Sequence, residues 1–174
     1  MVPLHTWLPD TAEQATPGTS TLLVGVLDKI GTFGMIRFCL QMFPEASKWA
    51  TPVVLVLALV SIFYGALMAL GERHLLRLIS YTSISHFGFM VLGIYIFTTQ
   101  SINGTVFFMI NHGFSTAALF LAVGFLIKRR GSADISDFGG VEKATPVLAG
   151  AVLLSVLSAI SLPGMSTFVS EFLV

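Results

Sequence analysis

The chain has 174 residues, of which 55% are hydrophobic and only 10% are charged, and its formal net charge is +0. Soluble domains carry about 25% charged residues, so this composition predicts a chain surrounded by lipid. The equal numbers of basic and acidic residues exclude a basic nucleic-acid binder and an acidic disordered tail. The single cysteine, Cys39, excludes a disulfide framework and a cysteine metal site. No metal, nucleotide or nucleophile motif occurs.

The predicted elements are all helices. Residues 1–18 carry two prolines around an aromatic anchor, and we expect them to be the end of a broken helix. Five apolar runs then reach the length of about 20 residues that crosses roughly 30 Å of hydrocarbon, and lipid offers no partner for an open sheet edge. These runs cover residues 19–43, 53–70, 75–97, 102–127 and 146–174, the last broken near residues 162–164. The predicted fold class is all-α, a polytopic transmembrane helix bundle with discontinuous helices.

The connections between these runs are short and differ in charge. Residues 44–52 predict a turn, and residues 128–143 are the longest polar stretch. Lysine and arginine are concentrated on one side, so the positive-inside rule predicts that loops 9–18, 71–74 and 128–143 are cytoplasmic. Residues 1–8 are too few to span a membrane, and the sequence stops in an apolar context after Glu171. We therefore expect a piece of a larger membrane subunit.

Three titratable side chains are predicted to lie deep in the membrane. At 1.5 Å per residue, Lys29, His86 and His112 lie about 14, 16 and 15 Å from the start of their helices. Half the hydrocarbon thickness is about 15 Å, and a charged lysine there costs about 3 kcal/mol. Three such groups at one depth predict a shared polar layer. Each histidine is equally compatible with interhelical hydrogen bonding, whereas Lys29 lies too deep to reach the surface, which favours a function.

Two acids accompany this layer. Asp28 precedes Lys29, but adjacent helical positions face different directions, so an ion pair within the helix is not expected. Asp28 would then reach Lys29 only through water or a neighbouring element. Glu171 follows the break at 162–164, and it is either part of an ion path at a broken helix or a loop-capping acid. Arg77, at a helix junction, is either a lateral polar link or part of a solvated turn.

Five segments carry a family resemblance in matching order: PLHTWLPD (3–10), KIGTFG (29–34), RLISYTSISHFGF (77–89), NHGFSTAALF (111–120) and LPGMSTFVSEF (162–172). Together they resemble the antiporter-like membrane subunits of respiratory complex I, the proton-translocating NADH:quinone oxidoreductase. The chain M, or subunit 4, type is the most similar, because the chain 5 type usually has histidine at the position of Lys29.

The resemblance implies roles for particular residues. Lys29 corresponds to the central lysine that passes protons between half-channels, and His86 and His112 to histidines of the same hydrated axis. Glu171 corresponds to the acid of the second discontinuous helix, and His5 to a histidine beside the first. A further glutamate and lysine of the family would lie upstream of this sequence.

The same resemblance implies the wider setting. Protons would move along the midplane chain of lysine, histidine, glutamate and water, coupled to redox chemistry elsewhere. This chain would hold no cofactor, while NADH, FMN, iron–sulfur clusters and quinone belong to partner subunits of a bacterial inner-membrane complex.

Three positions depart from the family pattern. They are Asp28, and Ala12 and Leu76, where the family often has histidine and lysine. Asp28, Asp10 and Arg77 are candidate modulators.

Two alternatives to this function remain open. A multisubunit cation/proton antiporter or an energy-converting hydrogenase shares the same core motifs. A structural membrane scaffold, in which the polar residues only join helices, is the third interpretation, and it predicts that replacing Lys29 preserves activity.

Overall fold

The computed structural model describes residues 1–174, and they form helices with one isolated β-bridge between His74 and Asp134. The nine α-helices are α1 (Trp7–Gln14), α2 (Pro17–Leu22), α3 (Asp28–Gly34), α4 (Pro44–Gly71), α5 (Leu75–Tyr95), α6 (Thr99–Arg130), α7 (Val141–Ala144), α8 (Pro146–Ala159) and α9 (Ser166–Leu173). Helices α4, α5 and α6 are long and apolar enough to cross a membrane. The predicted all-α fold class is confirmed.

The first long helical segment is continuous over residues 17–42 but not uniformly α-helical. A π-helical turn, Leu23–Leu27, joins α2 to α3, and a second one, Met35–Leu40, follows α3. Pro17 opens the segment, where its missing N–H costs no hydrogen bond. π-Helical turns are frequent at functional sites, and the first of them ends two residues before Lys29.

Helix α4 begins earlier than the sequence pattern indicated. The prediction of a turn over residues 44–52 is wrong, because these residues form the first part of α4. Proline suits the first position of a helix, since its φ is already helical and its missing N–H has no partner there. Pro44 therefore starts the helix, and Pro52 is accommodated inside it.

Helices α4 and α5 pack at backbone distance. A Cβ atom added at Gly65 would lie 2.7 Å from the backbone nitrogen of Ser85, and one at Gly88 would lie 2.8 Å from the carbonyl oxygen of Ala58. Small residues allow membrane helices to approach this closely, so that van der Waals contacts hold them together. The pair therefore forms a rigid support for the residues that α5 presents on its other faces.

The apolar core lies where α1, α5 and α6 meet the first π-helical turn. Its buried members are Leu8, Ala12, Val24, Leu76, Ile79, Tyr81, Ile84, Leu119, Phe120 and Val123. The outer faces of α4 and α8 instead expose large apolar side chains such as Phe63, Leu67 and Leu154. Such faces suit contact with lipid or with other membrane helices.

The last segment of the chain is a broken helix. Helix α8 ends at Ala159, and α9 begins at Ser166 after six residues that include Leu162-Pro163-Gly164. Ser161 and Gly164 have φ values of 54° and 100°, in the left-handed region. A helix cannot continue through such residues, so the helix is interrupted here. Helix α8 packs against the C-terminal half of α6, and α9 packs against its N-terminal half.

Three loops that the sequence predicts to be cytoplasmic lie at one end of the bundle. The β-bridge between His74 and Asp134 joins the α4–α5 junction to the loop after α6. Asp10 of α1 reaches the same end through a 2.7 Å contact with Arg77. The basic residues 128–130 form the last turn of α6, where cations stabilise the helix dipole.

Candidate functional site

Lys29 lies inside the bundle, just after the first π-helical turn. Its side chain is 11% exposed. The Nζ atom donates a hydrogen bond to the carbonyl oxygen of Val24 at 2.7 Å. At membrane depth a backbone carbonyl replaces the water that lipid cannot supply. The ammonium group is therefore held within the bundle instead of reaching to the membrane surface.

Asp28 contacts Lys29 directly, and the expectation that the two would not pair is wrong. The Oδ2 atom of Asp28 lies 3.8 Å from Nζ of Lys29. Consecutive Cβ atoms of a helix point in different directions, but the flexible four-carbon stem of lysine is long enough to fold back. Because both side chains are largely buried, the pairing offsets part of the cost of removing two charges from water.

The two predicted histidines contact each other. His86 of α5 and His112 of α6 have ring centroids 4.9 Å apart in an edge-to-face arrangement. Phe108 packs against both rings at 5.8 Å and closes one side of the pair. The Nε2 atom of His86 lies 3.9 Å from Oε1 of Glu171. These contacts bring α5, α6 and α9 together at one group of titratable side chains.

The hydrogen bond of the His112 ring stays within its own helix. Oγ1 of Thr116, one turn further along α6, lies 3.2 Å from Nε2 of His112. His112 is 2% exposed. The ring is thus oriented by α6 itself and meets α5 through ring packing. The alternative of a histidine that joins two helices by a hydrogen bond does not describe this side chain.

Asn111 positions Glu171. Its Nδ2 atom donates to the carbonyl oxygen of Ser166 at 2.8 Å and to Oγ of Ser170 at 3.3 Å. Both acceptors lie on α9, and the Ser166 carbonyl belongs to the first residue after the break. Asn111 therefore fixes α9 on α6 and holds Glu171 beside His86.

A pair of glycines brings the helical segment of Lys29 to α6. Gly113 follows His112, and a Cβ atom added there would lie 2.9 Å from the carbonyl oxygen of Gly25. This contact brings the helical segment that holds Lys29 against the part of α6 that holds His112. A groove of about 400 Å³ opens beside Lys29 along the Gly113 face of α6. We refer to Asp28, Lys29, His112, His86 and Glu171 as the polar row.

His5 lies apart from the two other predicted histidines. It is 7% exposed, it packs edge-to-face on Tyr64 with ring centroids 4.7 Å apart, and neither ring nitrogen has a hydrogen-bond partner. His5 and Asp28 line the same small cavity. The residues next to His5 in the sequence did not indicate its contact with Tyr64, because Tyr64 lies on α4.

Arg77 is a polar link between elements and not part of a solvated turn. Nη1 lies 2.7 Å from Asp10 and 2.9 Å from Glu13, and Nε lies 3.1 Å from Glu72. The guanidinium therefore joins α1 to the start of α5 at one end of the bundle. Glu13 was not singled out in the sequence, although its position one turn after Asp10 on a short helix places both acids on one face.

Two departures from the family pattern fall in one place. Ala12 is 0% exposed and Leu76 is 4% exposed, and both belong to the apolar core. Histidine and lysine at these positions would meet apolar neighbours in this chain. Alanine and leucine at these positions keep the α1–α5 contact apolar.

No group of three or more His, Cys, Asp or Glu side chains converges on a point that could hold a metal ion. The chemistry that the polar row supports is proton transfer, because its members are an amine, two imidazoles and two carboxyls in an apolar bundle. Groups of these types donate and accept protons over hydrogen-bond distances or through one water molecule.

Comparison with known proteins gives consistent matches. Residues 1–174 match the pattern of the NADH:quinone oxidoreductase/Mrp antiporter transmembrane family. NADH-quinone oxidoreductase subunit M of Mycobacterium tuberculosis (strain H37Rv) is 53% identical over 172 residues, which are 99% of this chain and 31% of that protein. The chain thus spans about a third of the length of this relative.

Two solved structures show the same fold. Respiratory complex I from Thermus thermophilus matches with a TM-score of 0.92 and 34% identity, covering 98% of this chain and 37% of the matched one. The Mrp complex from Dietzia sp. DQ12-45-1b matches with a TM-score of 0.92 and 27% identity, covering 99% and 32%. Both belong to multi-subunit membrane complexes.

Proposed function

The chain belongs to the NADH:quinone oxidoreductase/Mrp antiporter transmembrane family, and from this premise we propose that it carries half of a proton path in a chain M type subunit of an NADH:quinone oxidoreductase. The observation that carries the proposal is the polar row itself. Four separate helices contribute its members. Asp28 contacts Lys29, and His86 contacts both His112 and Glu171, inside a bundle that exposes apolar side chains outward.

Proton movement along the row needs no covalent chemistry. The Lys29 ammonium gives a proton, through intervening water, to a neutral imidazole of His112 or His86. The imidazolium then gives a proton to the Glu171 carboxylate, whose Oε1 lies 3.9 Å from Nε2 of His86. Each transfer moves one positive charge and leaves its donor ready to receive the next proton.

Electrostatics couples these steps to the rest of a complex. Two unit charges 4 Å apart interact by about 4 kcal/mol at an effective dielectric constant near 20. Gain or loss of a proton at one member of the row therefore shifts the proton affinity of its neighbours. A charge moved by redox chemistry in partner subunits, which would hold NADH, FMN, iron–sulfur clusters and quinone, drives Lys29 through the same interaction.

The proposal includes partners and placement. The other membrane-arm subunits and lipid would cover the exposed apolar faces of α4 and α8. The bundle would lie in a bacterial inner membrane, with loops 9–18, 71–74 and 128–143 on the cytoplasmic side. The clustering of these loops at one end of the bundle supports this orientation.

The test is Lys29→Met in the full-length subunit within its complex. We expect fewer protons pumped per NADH oxidised in inverted membrane vesicles, with NADH reduction of an artificial acceptor unchanged as the sign of assembly. Lys48→Met is the matched control, because Lys48 is exposed and pairs only with Glu45 at 3.3 Å. Unchanged pumping in Lys29→Met would contradict the proposal and favour a structural scaffold.

A cation/proton antiporter is the second candidate, favoured by the structural match to the Mrp complex. The two functions differ in their dependence on sodium. Transport by the intact complex that requires Na⁺ and proceeds without NADH would support the antiporter, whereas transport that requires NADH and is indifferent to Na⁺ supports the quinone reductase.

A further inference from the structure

A small cavity lies beside the polar row, on the side of α1. Its volume is about 90 Å³, and its lining includes the polar side chains of His5, Asp28 and Ser83 together with Met1. The remaining wall is formed by large side chains that include Leu8 and Phe87. At roughly 30 Å³ of liquid per water molecule, the cavity has room for about three waters.

His5 is the reason to expect water there. The side chain is 7% exposed, yet both ring nitrogens lack a hydrogen-bond partner in the protein. A buried polar atom without a partner costs about 1–3 kcal/mol, and most such atoms in native proteins are satisfied by protein or by ordered water. His5 lines the cavity, so water inside it can satisfy the ring.

Asp28 lies between this cavity and Lys29. One side of its carboxylate faces Lys29, with Oδ2 3.8 Å from Nζ, and the residue also lines the cavity with His5. Ionisable residues inside a membrane bundle usually mark an ion or proton pathway. A carboxylate that touches both a water-sized cavity and a buried amine has the contacts of a connecting group.

We propose that Asp28 is a proton-relay residue that joins the His5 cavity to Lys29. A proton carried by cavity water, or by the His5 imidazolium, binds to the Asp28 carboxylate. The resulting carboxylic acid then gives that proton to the neutral Lys29 amine, which leaves a carboxylate beside an ammonium group. No electrons are exchanged. The relay rests on the proposed function of Lys29 as a proton carrier.

The test compares Asp28→Asn with Asp28→Glu in the full-length subunit within its complex. Asparagine keeps the size of the side chain but cannot accept and release a proton at neutral pH, whereas glutamate retains the carboxyl group. We expect Asp28→Asn to slow NADH-driven proton pumping by about tenfold, less than the 10²–10⁴-fold typical of an acid–base group because water offers a bypass. Asp28→Glu restores most of the rate.

The double variant His5→Leu/Asp28→Asn separates a relay from a simple effect on the Lys29 charge. In a relay, both residues lie on one route, and the double variant pumps no more slowly than the slower single variant. If Asp28 only tunes Lys29, the two losses multiply, and this result overturns the proposal. Asp137→Asn, in the polar loop after α6, is the control for loss of a carboxylate and leaves pumping unchanged.

The outcome also distinguishes the relay from the function on which it rests. Loss of pumping in Lys29→Met with full pumping in Asp28→Asn overturns the relay alone, whereas full pumping in both overturns the proposed function. If Asp28→Asn prevents assembly, infrared difference spectra of wild type and Asp28→Glu under NADH turnover replace it. A protonated-carboxyl band that shifts between these two proteins supports the relay, and its absence contradicts it.

Discussion

The Nε2 atom of His86 lies 3.9 Å from Oε1 of Glu171, so a histidine of a continuous helix faces the acid of a broken one. Glu171 lies on α9, which begins after the break that ends α8 and packs against α6. Asn111 secures the arrangement by donating to the first turn of α9.

Replacing Glu171 by glutamine tests the end of the polar row. We expect NADH-driven proton pumping to slow by about 10²-fold, the lower end of the range for an acid–base group, because the amide keeps the shape of the side chain but cannot accept and release a proton at neutral pH. Glu142→Gln, an exposed position before α8, is the matched control. Equal pumping in both variants would exclude Glu171 from the path.

Arg77→Gln tests the polar link between α1 and α5. The change leaves three carboxylates without their cation, but those of Asp10 and Glu13 are 70% and 37% exposed and are partly screened by solvent. We therefore expect a loss of about 2 kcal/mol, between the values for exposed and buried pairs. The thermal midpoint of the detergent-solubilised complex measures it, with Arg130→Gln as the control. An equal midpoint in both variants would show that the link contributes no stability.

The same link predicts a dependence on pH. Partial burial raises the pKa of Glu72, but hydrogen bonds from the His74 N–H, the Arg77 guanidinium and the Arg73 N–H outweigh this and lower it below its ordinary value of 4.5. Stability from a lowered carboxyl pKa is present above the unfolded value and is lost as pH falls through the folded one. We expect the thermal midpoint to decrease as the pH is lowered below 4.5, and to decrease more steeply in the wild type than in Arg77→Gln. Parallel curves would contradict this origin.

Gly65→Ala tests the backbone contact between α4 and α5. The added methyl group would lie 2.7 Å from the Ser85 nitrogen and 2.8 Å from the Tyr81 oxygen. Neither backbone can move freely, so we expect destabilisation of about 1–3 kcal/mol. Gly150→Ala is the control in an open part of α8 and should be neutral or stabilising. A stable Gly65→Ala protein would show that the two helices can separate without cost.

The sequence alone determined the class of this protein. In lipid, an apolar run of about 20 residues can satisfy its backbone hydrogen-bonding groups within the segment only by forming a helix. The confirmed all-α fold follows from that restriction. The proline–glycine break before α9 and the family motifs could also be predicted from the sequence. The start of α4 could not be predicted, because proline can either precede a helix or open one, and local residues do not distinguish the two.

Only the tertiary structure decided which polar residues meet. The positions of Lys29, His86 and His112 within their predicted helices placed them at about the same depth in the membrane. They did not identify contact partners, since the rotation of each helix and the distance between helices depend on packing. The contact between Gly25 and Gly113 brings the Lys29 segment to α6, and the packing of α9 on α6 brings Glu171 to His86. The pairing of Asp28 with Lys29 contradicted the rule for adjacent helical positions, because a buried lysine has no water to face and folds back to the nearest charge.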